Sequence, residues 1–241
     1  VNEVIDRAFH RHGVVCLSGS PGAGKSVAAC QFIDIQGGRG LWYRIGPDDR
    51  QPLVVLGSLL HLLQNALPGY RCPPAEALLE ADDAAEPQKL VGAVNALLNS
   101  AAQHLDEPMY LAMDEFHAMD PASDGGRLLL HAVATLPPAL KCLAVARHPL
   151  AALRAHVRAE RFTEISATAL SLTAEETQEL CRMFLRSALP GSVCREIHER
   201  TLGWVRGVIA VAQALERQLL DEGASANADL LSGPPSADLL E

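Results

Sequence analysis

Short, largely apolar runs alternate along the chain with stretches whose apolar positions recur every three or four residues. VVCLS (14–18), LWYRI (41–45), MYLAM (109–113) and LKCLAVA (140–146) are the runs. The first and the last two predict strands of a parallel sheet covered on both faces, LWYRI a second strand beside them, and FTEIS (162–166) a fifth at the edge. Between them, a helix opens at a glycine-rich loop and runs to about Gln36, where Gly37 and Gly38 stop it. Leu53, Leu56, Leu60, Leu63 and Leu67 trace a second helix, closed by Pro68 and Gly69. Leu90, Val94, Leu97, Leu98 and Ala101 mark a third, with Pro87 in its first turn. Neither leucine run reaches three heptads, so both are core faces rather than zippers. The intervening RCPPAEALLEADDAAEP reads as an acidic connector. Strand, helix, strand repeated in this way predicts an open α/β sheet with right-handed crossovers.

The pattern changes after about Ala167, beyond which no strand is evident. Thr173 and Glu176 form a capping box for a helix through Arg186. Helices from Ser192 to Arg200 and from about Val205 to Leu220 follow. The expected organisation is an α/β domain over 1–167 and a helical subdomain over 168–220. Residues 221–241 then form a linker or the start of a truncated winged-helix segment.

Composition narrows the partners. A net charge of -9 argues against this chain gripping a nucleic-acid backbone, since such binders present a basic face. The six cysteines include no CxxC pair and read as reduced, mostly buried thiols. No cysteine or histidine pair has zinc-finger spacing, and the His10-Arg11-His12 run stands alone. No secretory leader and no bilayer-length apolar run is visible, which implies a cytoplasmic, non-membrane setting. The absent initiator Met implies a fragment of a longer chain.

Chemistry enters at SGSPGAGKSV. Gly19, Gly24, Lys25 and Ser26 fit G-x-x-x-x-G-K-[ST], after a strand and at a helix N-terminus, where that motif's mechanism requires it. Glycines let the backbone turn its N–H groups toward an anion, and the helix dipole adds positive potential at the same point. The cradle comprises Gly19, Ser20, Pro21, Gly22, Ala23, Gly24, Lys25, Ser26 and Val27. Lys25 would reach the β and γ phosphates of ATP or ADP, and the Ser26 hydroxyl would ligate Mg²⁺. The bland alternative is a strand-to-helix turn that binds nothing.

Phosphate chemistry needs carboxylates as well, and MYLAMDEFH supplies them. Asp114 ends a buried strand, at the sheet edge where ligands bind in open α/β folds, and would hold Mg²⁺ with Ser26. Glu115 would act on the attacking water. Against this stands a merely solvated acidic strand end. Arg147 follows LKCLAVA and emerges on the same edge, where it could report on the γ-phosphate or be an ordinary surface arginine. Arg158 and Arg161 are weaker candidates for a phosphate-sensing arginine. His117 reads more readily as a structural histidine than as a nucleotide contact, and Trp42 and Trp204 as packing residues.

In this order the motifs resemble the nucleotide-binding domain of STAND-class signalling ATPases, in particular the MalT-like large ATP-dependent LuxR-type transcriptional regulators. The resemblance spans about residues 10 to 220. It is carried by the glycine-rich loop, a strand with Trp42, and the segment Asp114, Glu115, Phe116 and His117. The Arg147-His148-Pro149 turn, LSLTAEET, and Gly203-Trp204 before the last helix complete it. It implies a P-loop NTPase sheet of the ASCE type, with helices on both faces and the 140–146 strand inserted between those of 14–18 and 109–113. A small all-helical subdomain follows. It also implies an adenine nucleotide with Mg²⁺, weak ATPase activity serving a switch, and self-association in the ATP state. C-terminal sensor and DNA-binding domains, absent here, would be the partners. Val205 and Arg206 depart from the family, where a proline often follows Gly-Trp, so the adenine contacts stay open. Two other readings share the cradle: a stand-alone ATPase or small-molecule kinase, and a nucleotide-sensing scaffold without useful hydrolysis.

Overall fold

The computed structural model describes residues 2–81, 86–185 and 189–222. These residues divide into two units, one made of 2–19 and 25–166, the other of 20–24 and 167–222. The terminal segment expected as a linker falls outside the described residues from 223 onward.

The first unit is built on five strands: β1 (Val14–Ser18), β2 (Gly40–Arg44), β3 (Met109–Asp114), β4 (Leu140–Ala146) and β5 (Phe162–Ser166). They pair in the order β2-β3-β4-β1-β5, every pair parallel. β4 therefore lies between β1 and β3, and β5 at the edge, as expected. Helices α1 (Asn2–Phe9), α2 (Lys25–Ile35), α3 (Pro52–Ala66), α4 (Pro73–Glu80), α5 (Pro87–Ala102), α6 (Asp124–Ala134) and α7 (Ala151–His156) complete the unit.

Side chains alternate across the sheet, as the two-residue period of a strand demands. Val15, Leu17, Leu143 and Val145 pack with Ile5, Phe9 and Phe32 of α1 and α2. Val14, Cys16, Cys142 and Ala144 join the larger cluster formed with α3, α5 and α6. The smaller layer is sealed by aromatic rings: Phe9 stacks on Phe32 at 5.6 Å, and Tyr110 meets both edge-on at 5.2 Å. Trp42 packs there too, as the sequence reading anticipated. On the other layer α5 buries all five residues of its predicted face, whereas α3 buries Leu56, Leu60 and Leu63 and keeps Leu53 and Leu67 at the margin.

The acidic connector is partly a helix. α4 forms because Pro73 and Pro74 occupy its first turn, where a missing N–H costs nothing, and because Ala75 is fully buried. Glu76 ties α4 down, accepting from Arg71 Nε and Nη2 at 2.7 Å each and from Gln64 at 3.0 Å. Among the described residues no helix is long and apolar enough to cross a membrane.

The second unit contains α8 (Ala174–Phe184), α9 (Gly191–Thr201) and α10 (Val205–Glu222). Its core is Cys181, Cys194, Ile197, Val208, Ala212 and Leu215. The predicted capping box is present: Thr173 Oγ1 accepts from Glu176 N at 3.2 Å, and Glu176 Oε2 accepts from Thr173 N at 2.8 Å.

Candidate functional site

Because all five strands run the same way, their C-terminal ends share one edge. Gly19 follows β1 there, Asp114 closes β3, and Arg147 follows β4, which pairs with both. The sheet order thus brings Lys25, Ser26, Asp114, Glu115 and Arg147 to one place from positions spread over more than half the chain.

The loop after β1 takes left-handed backbone at Gly19, Gly22 and Gly24, with φ of 148°, 76° and 82°. Backbone of this kind turns successive N–H groups toward a common hollow suited to an anion. Just before it, the Ser18 hydroxyl donates to the Glu164 carboxylate on β5, fixing the strand end from which the loop leaves. Lys25, the first residue of α2, is 7% exposed and donates from Nζ to the Gly19 carbonyl at 2.7 Å. Burial holds its pKa below the usual lysine value. The Arg147 charge pushes the same way, while Glu115 and Asp114 oppose it.

Ser26 Oγ donates to Asp114 Oδ1 at 3.0 Å, and that oxygen also accepts from Glu115 N at 2.9 Å. A hydroxyl and a carboxylate converging in this way suit Mg²⁺, which keeps water and phosphate oxygens in most of its coordination positions. The described residues hold no group of three or more acidic, histidine or cysteine side chains that would make a self-sufficient metal cage.

Glu115 sits in a left-handed conformation, φ 56° and ψ 33°, which costs a non-glycine residue about 1 kcal/mol. The turn it starts is held by Ala118 N donating to Glu115 O at 2.8 Å and by the fully buried Phe116. Its carboxylate oxygen Oε2 accepts from Arg147 Nη2 at 3.4 Å, and His117 Nε2 lies 3.2 Å from the same oxygen. The His117 ring meets His148 edge-on at 5.8 Å. Burial depresses the His117 pKa; Glu115 opposes that, and the charges of Arg147, His148 and Lys25 add to it.

Behind the site, the loop after β2 is fastened to β3. Ile45 N donates to Asp114 O at 3.0 Å, and the buried Asp49 carboxylate accepts from the Tyr43 hydroxyl and, at 2.7 Å, from Gly46 N. Sequence reading missed this clasp, for which the turn-rich GPDDRQP was the only signal. Arg161 is removed from candidacy: its guanidinium donates to the carbonyls of Leu136 at 2.7 Å and Ala134 at 3.4 Å. Those residues precede β4, so Arg161 serves the opposite, N-terminal edge of the sheet.

Within the second unit, the start of α10 packs on residues 21 and 22. Trp204 Nε1 donates to the Pro21 carbonyl at 3.2 Å, and Arg206 N to the Gly22 carbonyl at 3.0 Å. A Cβ on Gly22 would lie 2.5 Å from the Arg206 Cβ, so only glycine allows this approach. Trp204, expected from the sequence to be a packing residue, is here a hydrogen-bond donor.

This geometry can be set beside known proteins. Among solved structures, a STAND protein (Signal Transduction ATPase with Numerous Domains) with a tetratricopeptide repeat sensor, from Pyrococcus horikoshii, is similar with a TM-score of 0.60 and 13% identity. The similarity covers 94% of this chain and 32% of that one. This chain therefore spans about a third of that structure, and at such identity the likeness is one of fold. The Walker-type ATPase of Pyrococcus abyssi aligns at a TM-score of 0.49 and 14% identity, over 92% of this chain and 71% of that one. The RuvB Holliday junction branch migration motor of Thermotoga maritima aligns at 0.46 and 16%, over 95% and 64%. No curated protein matches the sequence. The family model for the AAA ATPase domain matches residues 1–145, a stretch that carries β1, the glycine-rich loop, Asp114 and Glu115, and β4 almost to its end. By that match over more than half its length, the chain belongs to the AAA ATPase domain family.

Proposed function

We propose that this chain is the ATP- and ADP-binding, slowly hydrolysing switch module of a multidomain, signal-responsive transcriptional regulator of the MalT-like STAND class. The observation that carries the reading is the convergence of a buried lysine, the Ser26–Asp114 pair, Glu115 and Arg147 on one sheet edge. The likeness to a STAND protein whose name includes a repeat sensor supports the wider assignment. The α/β domain of 1–167 would bind nucleotide and the helical subdomain of 168–220 would respond to it. Sensor and DNA-binding domains outside this chain would act on inducer and DNA, in a cytoplasmic protein that self-associates when ATP is bound.

Each side chain has a task that its surroundings suit. Lys25 would exchange the Gly19 carbonyl for phosphate oxygens. Ser26 and Asp114 would hold Mg²⁺, which when bound neutralises phosphate charge and orients the γ-phosphate. Glu115 would accept a proton from the attacking water, and Arg147 would leave Glu115 for the γ-phosphate. Pairing of Glu115 with Arg147 before that exchange is in keeping with slow turnover.

Two measurements test this. Mass spectrometry of the purified chain should find retained ADP, as expected of a resting switch. In a long incubation, Glu115→Gln should bind ATP yet release little ADP; unchanged ADP release would remove Glu115 from the chemistry. Turnover that depends on a small-molecule acceptor would favour a kinase instead.

A further inference from the structure

His117 lies beside the proposed water-activating carboxylate without having been given a task. We infer that His117 is a positioning residue: it holds Glu115 by one carboxylate oxygen so that the other is presented to water. The inference rests on the assignment of Glu115 as proton acceptor made above.

Three observations carry it. The left-handed turn at Glu115 folds the chain back so that a side chain only two positions later reaches the carboxylate, with His117 Nε2 3.2 Å from Oε2. Arg147 Nη2 donates to Oε2 at 3.4 Å and His117 Nε2 lies 3.2 Å from that same oxygen, while among the described residues no hydrogen bond falls on Oε1. His117 Nδ1 is buried with no partner.

The contact and the orphaned atom together point to one tautomer. An ionised carboxylate only accepts, so the inference requires Nε2, the nitrogen facing it, to carry the hydrogen. A second proton on Nδ1 would be a buried donor with nothing to receive it, next to Arg147 and His148. On this inference His117 is a neutral Nε2–H group that steers Glu115 without neutralising it. Its permanence matters as well. Arg147 is more than half exposed and is assigned to the phosphate during turnover, whereas His117 is 15% exposed and anchored beside the buried Phe116. When Arg147 departs, His117 remains to fix the Glu115 rotamer.

The test compares His117→Leu, which removes the donor at similar bulk, with His117→Gln, whose amide N–H reaches nearly the Nε2 position. Single-turnover hydrolysis at saturating Mg·ATP should fall about 10- to 100-fold in the leucine variant, the loss expected of a misplaced proton acceptor. Affinity for a fluorescent ATP analogue should stay unchanged. The glutamine variant should recover most of the rate. In a Glu115→Gln background, His117→Leu should add no further loss. Independently of turnover, nitrogen-15 NMR of the nucleotide-free chain should find His117 as the Nε2–H tautomer, and an Nδ1–H tautomer would overturn the inference. So would a full rate in His117→Leu when Glu115→Gln is inactive, or a loss that persists in the Glu115→Gln background. Wild-type rate in Glu115→Gln itself would remove the proton-acceptor assignment, and this inference with it.

Discussion

Replacing Lys25 with methionine separates a lysine kept for a ligand from one kept for the fold. The side chain is almost wholly buried and its ammonium is desolvated enough to lower its pKa. Its folded pKa lies below the ordinary lysine value, so the unfolded chain binds more protons between the two values. Stability therefore rises with pH through that window, and at neutral pH the charged Lys25 is a cost to the nucleotide-free fold. Methionine keeps most of the stem and removes the charge. Because desolvation and the Arg147 charge outweigh the attraction of Glu115 and Asp114, removing the ammonium should be neutral or stabilising for the nucleotide-free fold. Nucleotide binding should respond in the opposite direction. A charge-assisted hydrogen bond contributes about 1.5–3 kcal/mol, and a unit charge pair at about 4 Å in an effective dielectric near 20 about 4 kcal/mol. The expected loss is thus about 2–4 kcal/mol, or roughly 30- to 1000-fold in affinity. Titration calorimetry with Mg·ATP and with ADP measures the binding arm, and urea denaturation without nucleotide measures the other. An affinity within about threefold of wild type would refute the cradle argument. A markedly less stable nucleotide-free chain would show that Lys25 is there for the fold.

Two further substitutions probe the surroundings. Gly22→Ala should lose about 2–3 kcal/mol, about 1 for left-handed backbone at φ 76° and 1–2 for crowding a methyl against Arg206, read as a lower urea midpoint. An unchanged midpoint would contradict the close approach. Tyr43→Phe should lose about 1–2 kcal/mol by leaving one oxygen of the buried Asp49 without its hydroxyl donor. Burial, then the Asp49 hydrogen bond, raise the Tyr43 pKa far above the usual tyrosine value, so the fold favours the neutral phenol. That stabilisation is complete below the ordinary tyrosine pKa and is lost as pH rises through the raised value. Alkaline ultraviolet titration should accordingly show a late-ionising tyrosine in the wild type that is missing from the variant.

Much of the sheet and the motif was legible because burial leaves a local trace. A strand covered on both faces must be largely apolar, and the runs at 14–18 and 140–146 match the strands residue for residue, as does the amphipathic edge candidate at 162–166. The segments that were missed are those whose reasons lie elsewhere in the chain. α6 begins Asp124-Gly125-Gly126, poor helix formers by propensity. A Cβ on Gly125 would come within 2.0 Å of the Asp49 carbonyl, so the glycine answers to a segment some 75 residues earlier. α4 was hidden by its two prolines and acidic neighbours. At the site, the emergence of Lys25, Asp114 and Arg147 on one edge followed from strand order. The approach of His117 and Arg147 to a single oxygen did not, because it depends on a left-handed glutamate that no periodicity announces.

The position of β1 also bears on how the molecule is made. Val14 pairs with Cys142 on one side and Phe162 on the other, so both neighbours of the first strand are synthesised more than 120 residues after it. Contacts this distant close late and slow the search for the native topology. The ribosome will have delivered β5 before β1 can be sandwiched, and the glycine-rich loop hanging from β1 takes its shape only then. A nascent chain halted before residue 140 contains the whole loop sequence and yet has nothing on which to mount it.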